Sequence, residues 1–444
     1  MTILPKLTRR GALLAAMATP LAGCQTYDDW FGIKKKQLPG ERQPVLAGTR
    51  PLADGAAPLR VTLPAPTDAA EWPQPGGTAA HEGGHLALPG GYNRAWTAGI
   101  GTSSGYRRRI TAQPVVAGGR VFTMDADGMV SAFEAASGRR LWTADTEPEG
   151  DRSTNVGGGV SVGGDTVYAT TGRAEILALE AATGAVRWRA PLGAPARSAA
   201  TVTPERLFVG TLDNQMLGLS ATDGKRLWSY QSPATETLVL GLPAPAYVDG
   251  IVVAGFGSGE MVALRAASGT VVWSDSLAAT RGRTSIADLS AIRGMPMVKE
   301  ARVYATSLGG VLLANDLRSG RRLWEVEFAS GEAPWLAGDW LFAVSSSAEV
   351  AAINRADGAV AWVRQLDRFD NPERERGPIT WCGPILAGGR LFLGNTSGNA
   401  VLLDPATGET AGTMSLPGAL TIAPVVAGGT MYMVTDNATL LALR

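Results

Sequence analysis

The sequence is poor in charge and in long apolar runs. Of its 444 residues 18% are charged, and 40 basic side chains balance 40 acidic ones. A net charge of zero gives no reason to expect a basic surface for nucleic acid. The one long apolar stretch lies at the N-terminus and is too short to span a bilayer as a mature helix, so the body is expected to be soluble. Its 45% apolar content can build a sizeable core.

The N-terminal apolar stretch, residues 11–21, has the features of an export signal. Three basic residues precede it and Leu21-Ala22-Gly23-Cys24 follows it. That order is typical of a secretory signal peptide. The last four residues resemble a bacterial lipobox, in which the Cys becomes the first mature residue and carries acyl chains. We therefore predict a signal peptide over residues 1–23 and lipidation of Cys24. The alternative is an ordinary secretory signal with an incidental Cys.

Residues 24–70 are predicted to be a lipid-anchored flexible tether. They are rich in Pro, Gly, Ala and Thr and lack a sustained helical or strand period. Gln25 stands where an Asp would favour inner-membrane retention in the enteric sorting rule, so the outer membrane is the expected location. Two or more acyl chains make such anchoring stable. The Arg pair before the apolar stretch leaves the export route, Sec or Tat, open.

The rest of the chain, residues 71–444, repeats one motif. The motif is Gly-x-x-x-Trp, with an acidic or polar residue four positions before the Gly in most copies. The glycines recur about every 45 residues, which is the period of a four-stranded propeller blade. The copies are Gly138 with Trp142, Gly184 with Trp188, Gly224 with Trp228, Gly269 with Trp273, Gly320 with Trp324, Gly358 with Trp362, and Gly408 with Gly412 in place of the Trp.

The strand pattern inside the repeats predicts eight blades. Seven inner strands are expected near Val115, Val160, Thr201, Ala246, Met297, Trp335 and Ile385. An eighth repeat starts at Pro424 and reaches Arg444 after only three strands. Its fourth strand is available at Arg94-Ala95-Trp96-Thr97, and pairing with it would close the ring. The predicted fold is therefore an all-β, eight-bladed propeller whose last blade is closed by an N-terminal strand. The six Trp residues of the motif and Trp96 are expected to pack against neighbouring blades rather than to hold a cofactor.

Three short motifs resemble functional sites but lack the context that the chemistry needs. His81-Glu82-Gly83-Gly84-His85 has the letters of a zinc-protease helix, but two glycines and flanking prolines do not favour a helix, and no third His exists. It is expected to be a loop on the propeller. Trp381-Cys382-Gly383-Pro384 lacks the second Cys of a thioredoxin site, so Cys382 is expected to be a buried thiol. Asp125-Ala126-Asp127-Gly128 lacks the remaining ligands of a calcium loop. No catalytic residue, metal or cofactor is predicted.

The blade motif resembles that of propellers related to the quinoprotein dehydrogenases. Fold similarity does not carry their chemistry with it, and this chain has no adjacent Cys pair of the kind many of them use. The combination of lipobox, tether and eight repeats more closely resembles the BamB family, the propeller lipoproteins of the outer-membrane β-barrel assembly machinery. This resemblance covers nearly the whole mature chain. It is strongest from Leu238 through Trp324.

The resemblance implies a partner, the periplasmic POTRA region of a BamA-type barrel insertase. In that family a Leu-x-Leu-Arg segment and a nearby acidic pair bind a POTRA domain. Leu238 and Leu240 match the leucines here, Gly241 replaces the Arg, and Arg293 falls where an acidic residue would lie. Asp288 or Arg293 could supply a rearranged polar contact. The predicted partner-binding residues are Leu238, Leu240, Gly241, Asp288 and Arg293.

The resemblance thus implies a non-enzymatic scaffold that assists the folding and insertion of β-barrel proteins. It would be monomeric within its complex, beside other assembly lipoproteins, with the propeller in the periplasm. Two alternatives stay open: a periplasmic propeller that binds another protein partner, and a quinone-dependent dehydrogenase.

Overall fold

The computed structural model describes residues 52, 59–148, 154–155, 157–196, 198–235, 241, 243–277 and 290–444. The chain divides into residues 1–46, which lie outside the described part, and residues 47–444. Every regular element in the described part is a β-strand. Accordingly, none of the described residues belongs to an apolar helix long enough to cross a membrane.

The strands form eight four-stranded antiparallel sheets, which are the blades of a propeller. Blade 1 contains β2 (Val115–Ala117), β3 (Arg120–Met124), β4 (Val130–Glu134) and β5 (Arg140–Ala144). Blade 2 contains β6 (Gly158–Gly163), β7 (Thr166–Thr171), β8 (Glu175–Glu180) and β9 (Val186–Pro191). Blade 3 contains β10 (Thr201–Val202), β11 (Arg206–Gly210), β12 (Gln215–Ser220) and β13 (Arg226–Gln231). Blade 4 contains β14 (Ala246–Val248), β15 (Ile251–Gly255), β16 (Glu260–Arg265) and β17 (Val271–Ser276).

The second half of the ring follows the same order from the inner strand outward. Blade 5 contains β18 (Met297–Lys299), β19 (Arg302–Thr306), β20 (Val311–Asp316) and β21 (Arg322–Glu327). Blade 6 contains β22 (Trp335–Ala337), β23 (Trp340–Val344), β24 (Glu349–Asn354) and β25 (Val360–Gln365), and a separate hairpin of β26 (Phe369–Asn371) and β27 (Arg376–Pro378) follows it. Blade 7 contains β28 (Trp381–Ala387), β29 (Arg390–Asn395), β30 (Asn399–Leu403) and β31 (Thr410–Ser415). Blade 8 contains β32 (Val425–Ala427), β33 (Thr430–Val434), β34 (Thr439–Leu443) and β1 (Arg94–Gly99).

Blade 8 joins the two ends of the propeller sequence. β1 pairs antiparallel with β34, with Thr97 opposite Leu441 and Gly99 opposite Thr439. β1 is therefore the outer strand of a sheet whose other three strands end the chain. This confirms the predicted eight-bladed fold and its closure by an N-terminal strand. The closure works because it gives β34 a hydrogen-bonded neighbour on its outer side.

In each blade, a large side chain on one of the two outermost strands lies opposite a small residue on the other. The outer-strand Trp lies directly opposite a small residue on the third strand, which leaves room for the indole ring. On the second strand an aromatic ring packs beside the indole in most blades; for example, the Phe122 and Trp142 centroids are 5.9 Å apart. The opposed pairs are Trp96 and Ala442, Trp142 and Ala132, Trp188 and Ala178, Trp228 and Gly218, Trp273 and Ala263, Trp324 and Ala314, and Trp362 and Ala352.

The same Trp rings join neighbouring blades. Each ring lies over the turn glycine of the next blade, so close that a methyl group on that glycine would collide with it. The indole N–H donates to a carbonyl of that turn in most blades, as from Trp273 Nε1 to Leu317 O at 2.7 Å. The pairs are Trp96 with Gly138, Trp142 with Gly184, Trp188 with Gly224, Trp228 with Gly269, Trp273 with Gly320, Trp324 with Gly358, and Trp362 with Gly408.

Blade 7 lacks the Trp for a structural reason. The next blade ends its third strand at the C-terminus and has no turn glycine there for a ring to cover. Gly412 lies opposite Leu402, so the large and small positions are exchanged. Tyr92 stacks on the second-strand ring Phe392 instead, with ring centroids 6.2 Å apart.

Candidate functional site

The axis of the propeller is closed at one end by residues 59–93, which we call the strap. In the eight blades, inner strands leave backbone groups without a neighbouring strand on the axial side, and unpaired backbone groups are costly when buried. The strap makes a hydrogen bond to every blade. In blade order, the bonds are Trp72 N to Val116 O, Val162 N to Pro73 O, Val202 N to Gln74 Oε1, Tyr247 N to Ala79 O, Val298 N to Ala80 O, Gly84 N to Leu336 O, Leu86 N to Leu386 O, and Gly428 N to Ala69 O.

Residues 59–70, which the sequence analysis assigns to the tether, form the first part of the strap. Val61 is buried, and Thr67 N donates to His85 O at 2.7 Å. Gly428 N of blade 8 donates to Ala69 O at 2.7 Å. Pro64 has no N–H to donate, but its carbonyl oxygen binds His85 Nδ1 at 2.8 Å. The propeller body therefore includes residues before position 71.

The His81–His85 motif belongs to the strap and its side chains bind in different places. His81 Nδ1 lies 2.7 Å from Pro296 O, and His85 Nδ1 lies 2.8 Å from Pro64 O. His85 Nε2 accepts from Gly389 N at 3.1 Å, and Glu82 pairs with Lys299 at 2.7 Å. The motif thus fastens the strap to the blades, and its glycines Gly83 and Gly84 have φ values of +69° and +121°, which no helix uses.

Cys382 lies in β28 and is buried. Burial raises the pKa of its thiol well above the ordinary value, because a thiolate would lose its hydration. Its Sγ lies 3.5 Å from Leu420 O. Such a thiol is held in its unreactive, protonated form.

Between the strap and the opposite end of the propeller is a cavity of about 350 Å³, which we call the axial chamber. Its floor is formed by the strap residues Trp72, Pro75 and His81, and the Trp72 ring stacks on Trp335 with centroids 6.2 Å apart. Its walls come from the inner strands and from the segments that lead into them. These wall residues include Ile110, Gln113, Ser198, Met295, Met297, Ile385 and Ile422.

The open end of the chamber is formed by the loops that connect one blade to the next. These loops bind the turns between second and third strands; for example, Ile292 N donates to Phe256 O at 3.0 Å and Leu308 N to Ala291 O at 3.0 Å. We call this end the loop face. Three charged residues, Arg109, Arg293 and Glu332, line the chamber from these loops, with Arg293 Nη1 3.6 Å from Glu332 Oε1.

The Glu332 carboxyl has an unusual environment. Its side chain is 19% exposed. Burial raises its pKa from 4.5 to about 7, and the positive charge of Arg293 only partly opposes this. At neutral pH the carboxyl is therefore divided between its neutral and charged forms.

The structure brings together two of the predicted partner-binding residues. A Cβ atom added to Gly241 would lie 3.6 Å from Arg293 Nε, and both residues line the axial chamber. Gly241 has a φ of +79°, a conformation that glycine adopts without strain. The Arg293 side chain is 37% exposed. Leu238, Leu240 and Asp288 lie outside the described residues, as does Cys24.

Neither the strap nor Glu332 was predicted from the sequence. A signal for the strap was present: Trp72, Leu86 and Leu88 are large apolar residues in a segment that is otherwise rich in Pro and Gly, and all three are buried. Glu332 had no sequence signal, because its neighbours are Gly, Ala and Pro and its environment comes from other blades.

Comparison with known proteins connects this architecture with one family. A family model described as outer membrane protein assembly factor BamB matches residues 126–364 and 365–444. BamB of Burkholderia pseudomallei is 27% identical over 355 residues, which are 79% of this chain and 87% of the relative. BamB of Nitrosomonas eutropha is 30% identical over 217 residues, 49% of this chain and 51% of the relative.

Solved structures share the fold. The crystal structure of BamB from Moraxella catarrhalis superposes with a TM-score of 0.68 at 22% identity, covering 80% of this chain and 99% of that one. A quinohemoprotein alcohol dehydrogenase from Comamonas testosteroni gives 0.64 at 14% identity, covering 84% and 80%. At such identities the likeness concerns the fold, and function has to be argued from the site. The family model, by contrast, spans most of the propeller, and the chain belongs to the family of the outer membrane protein assembly factor BamB.

Proposed function

We propose that this protein is a non-enzymatic scaffold of outer-membrane protein assembly that binds the POTRA region of a barrel insertase through its loop face. The observation that carries the proposal is the position of Arg293 against Gly241. Gly241 lacks the cationic side chain that the family places there. Arg293, from the next inter-blade loop, brings a guanidinium to the same place.

The charge on the loop face can therefore be kept although its sequence position has moved. An Arg fork binds carboxylates in two parallel hydrogen bonds, whichever loop presents it. Arg293 Nη1 lies 3.6 Å from Glu332 Oε1, which is long for a hydrogen bond, so the guanidinium keeps N–H donors free for a partner. We expect Leu238 and Leu240 to supply the apolar part of the contact and Asp288 a further polar group. Arg is among the few residue types that supply most of the binding energy at protein interfaces.

The proposal includes the anchor. Cys24 carries the acyl chains, residues 1–23 are removed, and the chain beyond Cys24 leads to the strap. The propeller then lies in the periplasm at the outer membrane, beside the insertase and the other assembly lipoproteins. We expect it to be monomeric within that complex and to need no cofactor.

The apolar part of the contact is tested by Leu238→Asp/Leu240→Asp. The double variant should lose binding to a purified POTRA region, measured by calorimetry, while keeping the wild-type melting temperature. Leu141→Asp/Leu227→Asp is the matched control, because both leucines are exposed on outer strands of other blades. Wild-type affinity in the Leu238/Leu240 variant would exclude this site.

The charged part is tested by Arg293→Glu. We expect about tenfold weaker binding and a weaker dependence on salt concentration, since a charge at an interface affects both. Arg226→Glu, on the outer strand β13, is the control and should leave the affinity unchanged. An Arg293→Glu variant with unchanged affinity would remove Arg293 from the contact.

A further inference from the structure

Three polar atoms that are buried around the axial chamber have no hydrogen-bond partner. They are Trp72 Nε1, His81 Nε2 and Ser198 Oγ. Their residues are only 3%, 5% and 8% exposed, and all three line the chamber. A buried polar group without a partner costs about 1–3 kcal/mol, so three in one cavity require an explanation.

The chemistry of each atom is defined by its surroundings. Trp72 Nε1 can only donate. His81 Nδ1 faces Pro296 O, which can only accept, so Nδ1 carries the proton. Burial lowers the pKa of this ring to about 4, so the imidazole is neutral and Nε2 is a bare acceptor. Ser198 Oγ can do either. A complementary ligand must therefore offer both an acceptor and a donor.

The remainder of the chamber favours an apolar ligand. Its lining is mainly apolar and includes Met295, Met297, Ile385 and Ile422. Of its charged residues, Arg293 and Glu332 lie 3.6 Å from each other and so partly neutralise one another, and Arg109 is exposed to solvent. The volume of about 350 Å³ corresponds to roughly ten water molecules and lies in the range of ligand pockets.

We propose that the axial chamber is a binding site for a short apolar peptide segment, held by one backbone amide and one or two aliphatic side chains. The amide C=O accepts from Trp72 Nε1 and Ser198 Oγ, and its N–H donates to His81 Nε2. Entry is from the loop face, because the strap closes the other end. The proposal relies on the proposed function only for the origin of the segment in an assembly partner, and its test uses this protein alone.

The probe is N-acetyl-leucinamide, which has an amide and an aliphatic side chain but no charge. Ligand-detected NMR titration of the full mature chain in mild detergent should give saturable binding. N-acetylglycinamide, which lacks the side chain, should bind at least about tenfold more weakly, as expected when apolar burial is lost. Ser198→Ala should weaken binding of the leucine probe about fivefold, the effect of one neutral hydrogen bond.

Filling the chamber provides the second arm. Ile422→Trp should abolish binding, whereas Leu227→Trp on the exposed outer strand β13 should leave it unchanged. Equal binding to the Ile422 variant and the wild type would place the probe elsewhere and overturn the proposal. So would the absence of saturable binding, or a crystal structure in which ordered water alone satisfies the three atoms and stays when the probe is added. Because the Ser198 variant makes only a one-atom change, the test does not depend on the larger substitution folding. Failure here leaves POTRA binding untouched, and that is measured separately.

Discussion

At the scale of single residues, the turn glycines hold the blades together because they let a Trp ring approach. Gly184 has a φ of +77°, and a Cβ there would lie 2.6 Å from Trp142 Cε3. Gly119 has a similar φ of +70°, but nothing lies within 4 Å of its Cβ position. Comparing substitutions at the two glycines therefore separates the energetic cost of backbone strain from the cost of the collision with the ring.

We expect Gly119→Ala to lower the free energy of unfolding by about 1 kcal/mol, the cost of left-handed backbone alone. Gly184→Ala should lower it by about 3 kcal/mol, because overpacking adds to the same strain. Urea denaturation followed by Trp fluorescence measures both. Equal losses in the two variants would show that the ring contact contributes nothing.

Glu332 gives the protein a predicted pH dependence. Its pKa is raised from 4.5 in the unfolded chain to about 7 in the fold, so between these values the folded protein binds more protons. The free energy of unfolding must then fall as pH rises through this window. Glu332→Gln should gain up to roughly 3 kcal/mol relative to the wild type between pH 4 and pH 8. A constant difference across this range in denaturant titrations would contradict the assigned environment.

Titration of His81 changes the free energy of unfolding in the opposite direction, over a lower pH range. Its pKa is lowered from 6.5 to about 4, so the unfolded chain binds more protons between these values and stability rises with pH. His81→Asn removes the titration and tolerates the positive φ of 58° at this position. Relative to the wild type it should therefore become less stable as pH rises from 4 to 6.5. The same titrations with the Asn variant separate this effect from that of Glu332.

At the scale of elements, the ring depends on β1, the strand that completes blade 8. Deleting residues 91–98 removes the partner of β34 and the Trp96 ring that covers Gly138. We expect a lower melting temperature and concentration-dependent association through the exposed β34 edge, followed by calorimetry and light scattering. Trp96→Ala is the control for the ring alone, and should destabilise without association. An unchanged melting temperature and a monomeric deletion variant would refute the closure.

The strands were predictable from the sequence because each repeat carries its own turn and Trp signals. Blade 7 is the exception, since it has Gly412 where the other blades have Trp. The sequence also shows the compensating change, because Leu402 stands where the other blades have a small residue. The strap was harder to predict. It has no period, its hydrogen bonds go to eight different blades, and the Pro, Ala and Thr of residues 59–70 are also typical of a tether.

At the scale of the whole molecule, the two ends of the propeller differ, because the strap closes one end of the axis and the loop face leaves the other end open. Gly241 and Arg293 were predicted as partner residues from a resemblance, and the structure places them side by side. Their proximity could not be derived from sequence, since 52 positions separate them and the loop conformation sets the contact. Glu332 and the chamber depend in the same way on which side chains the ring brings together.

The central claim, that this protein serves outer-membrane assembly by binding the insertase, is tested most directly by purifying a C-terminally tagged full chain from gently solubilised membranes. Mass spectrometry then identifies the proteins that co-elute. The account predicts that the barrel insertase dominates, and that the Leu238→Asp/Leu240→Asp variant loses it. Absence of the insertase, under conditions in which the rest of the assembly complex stays intact, would contradict the account.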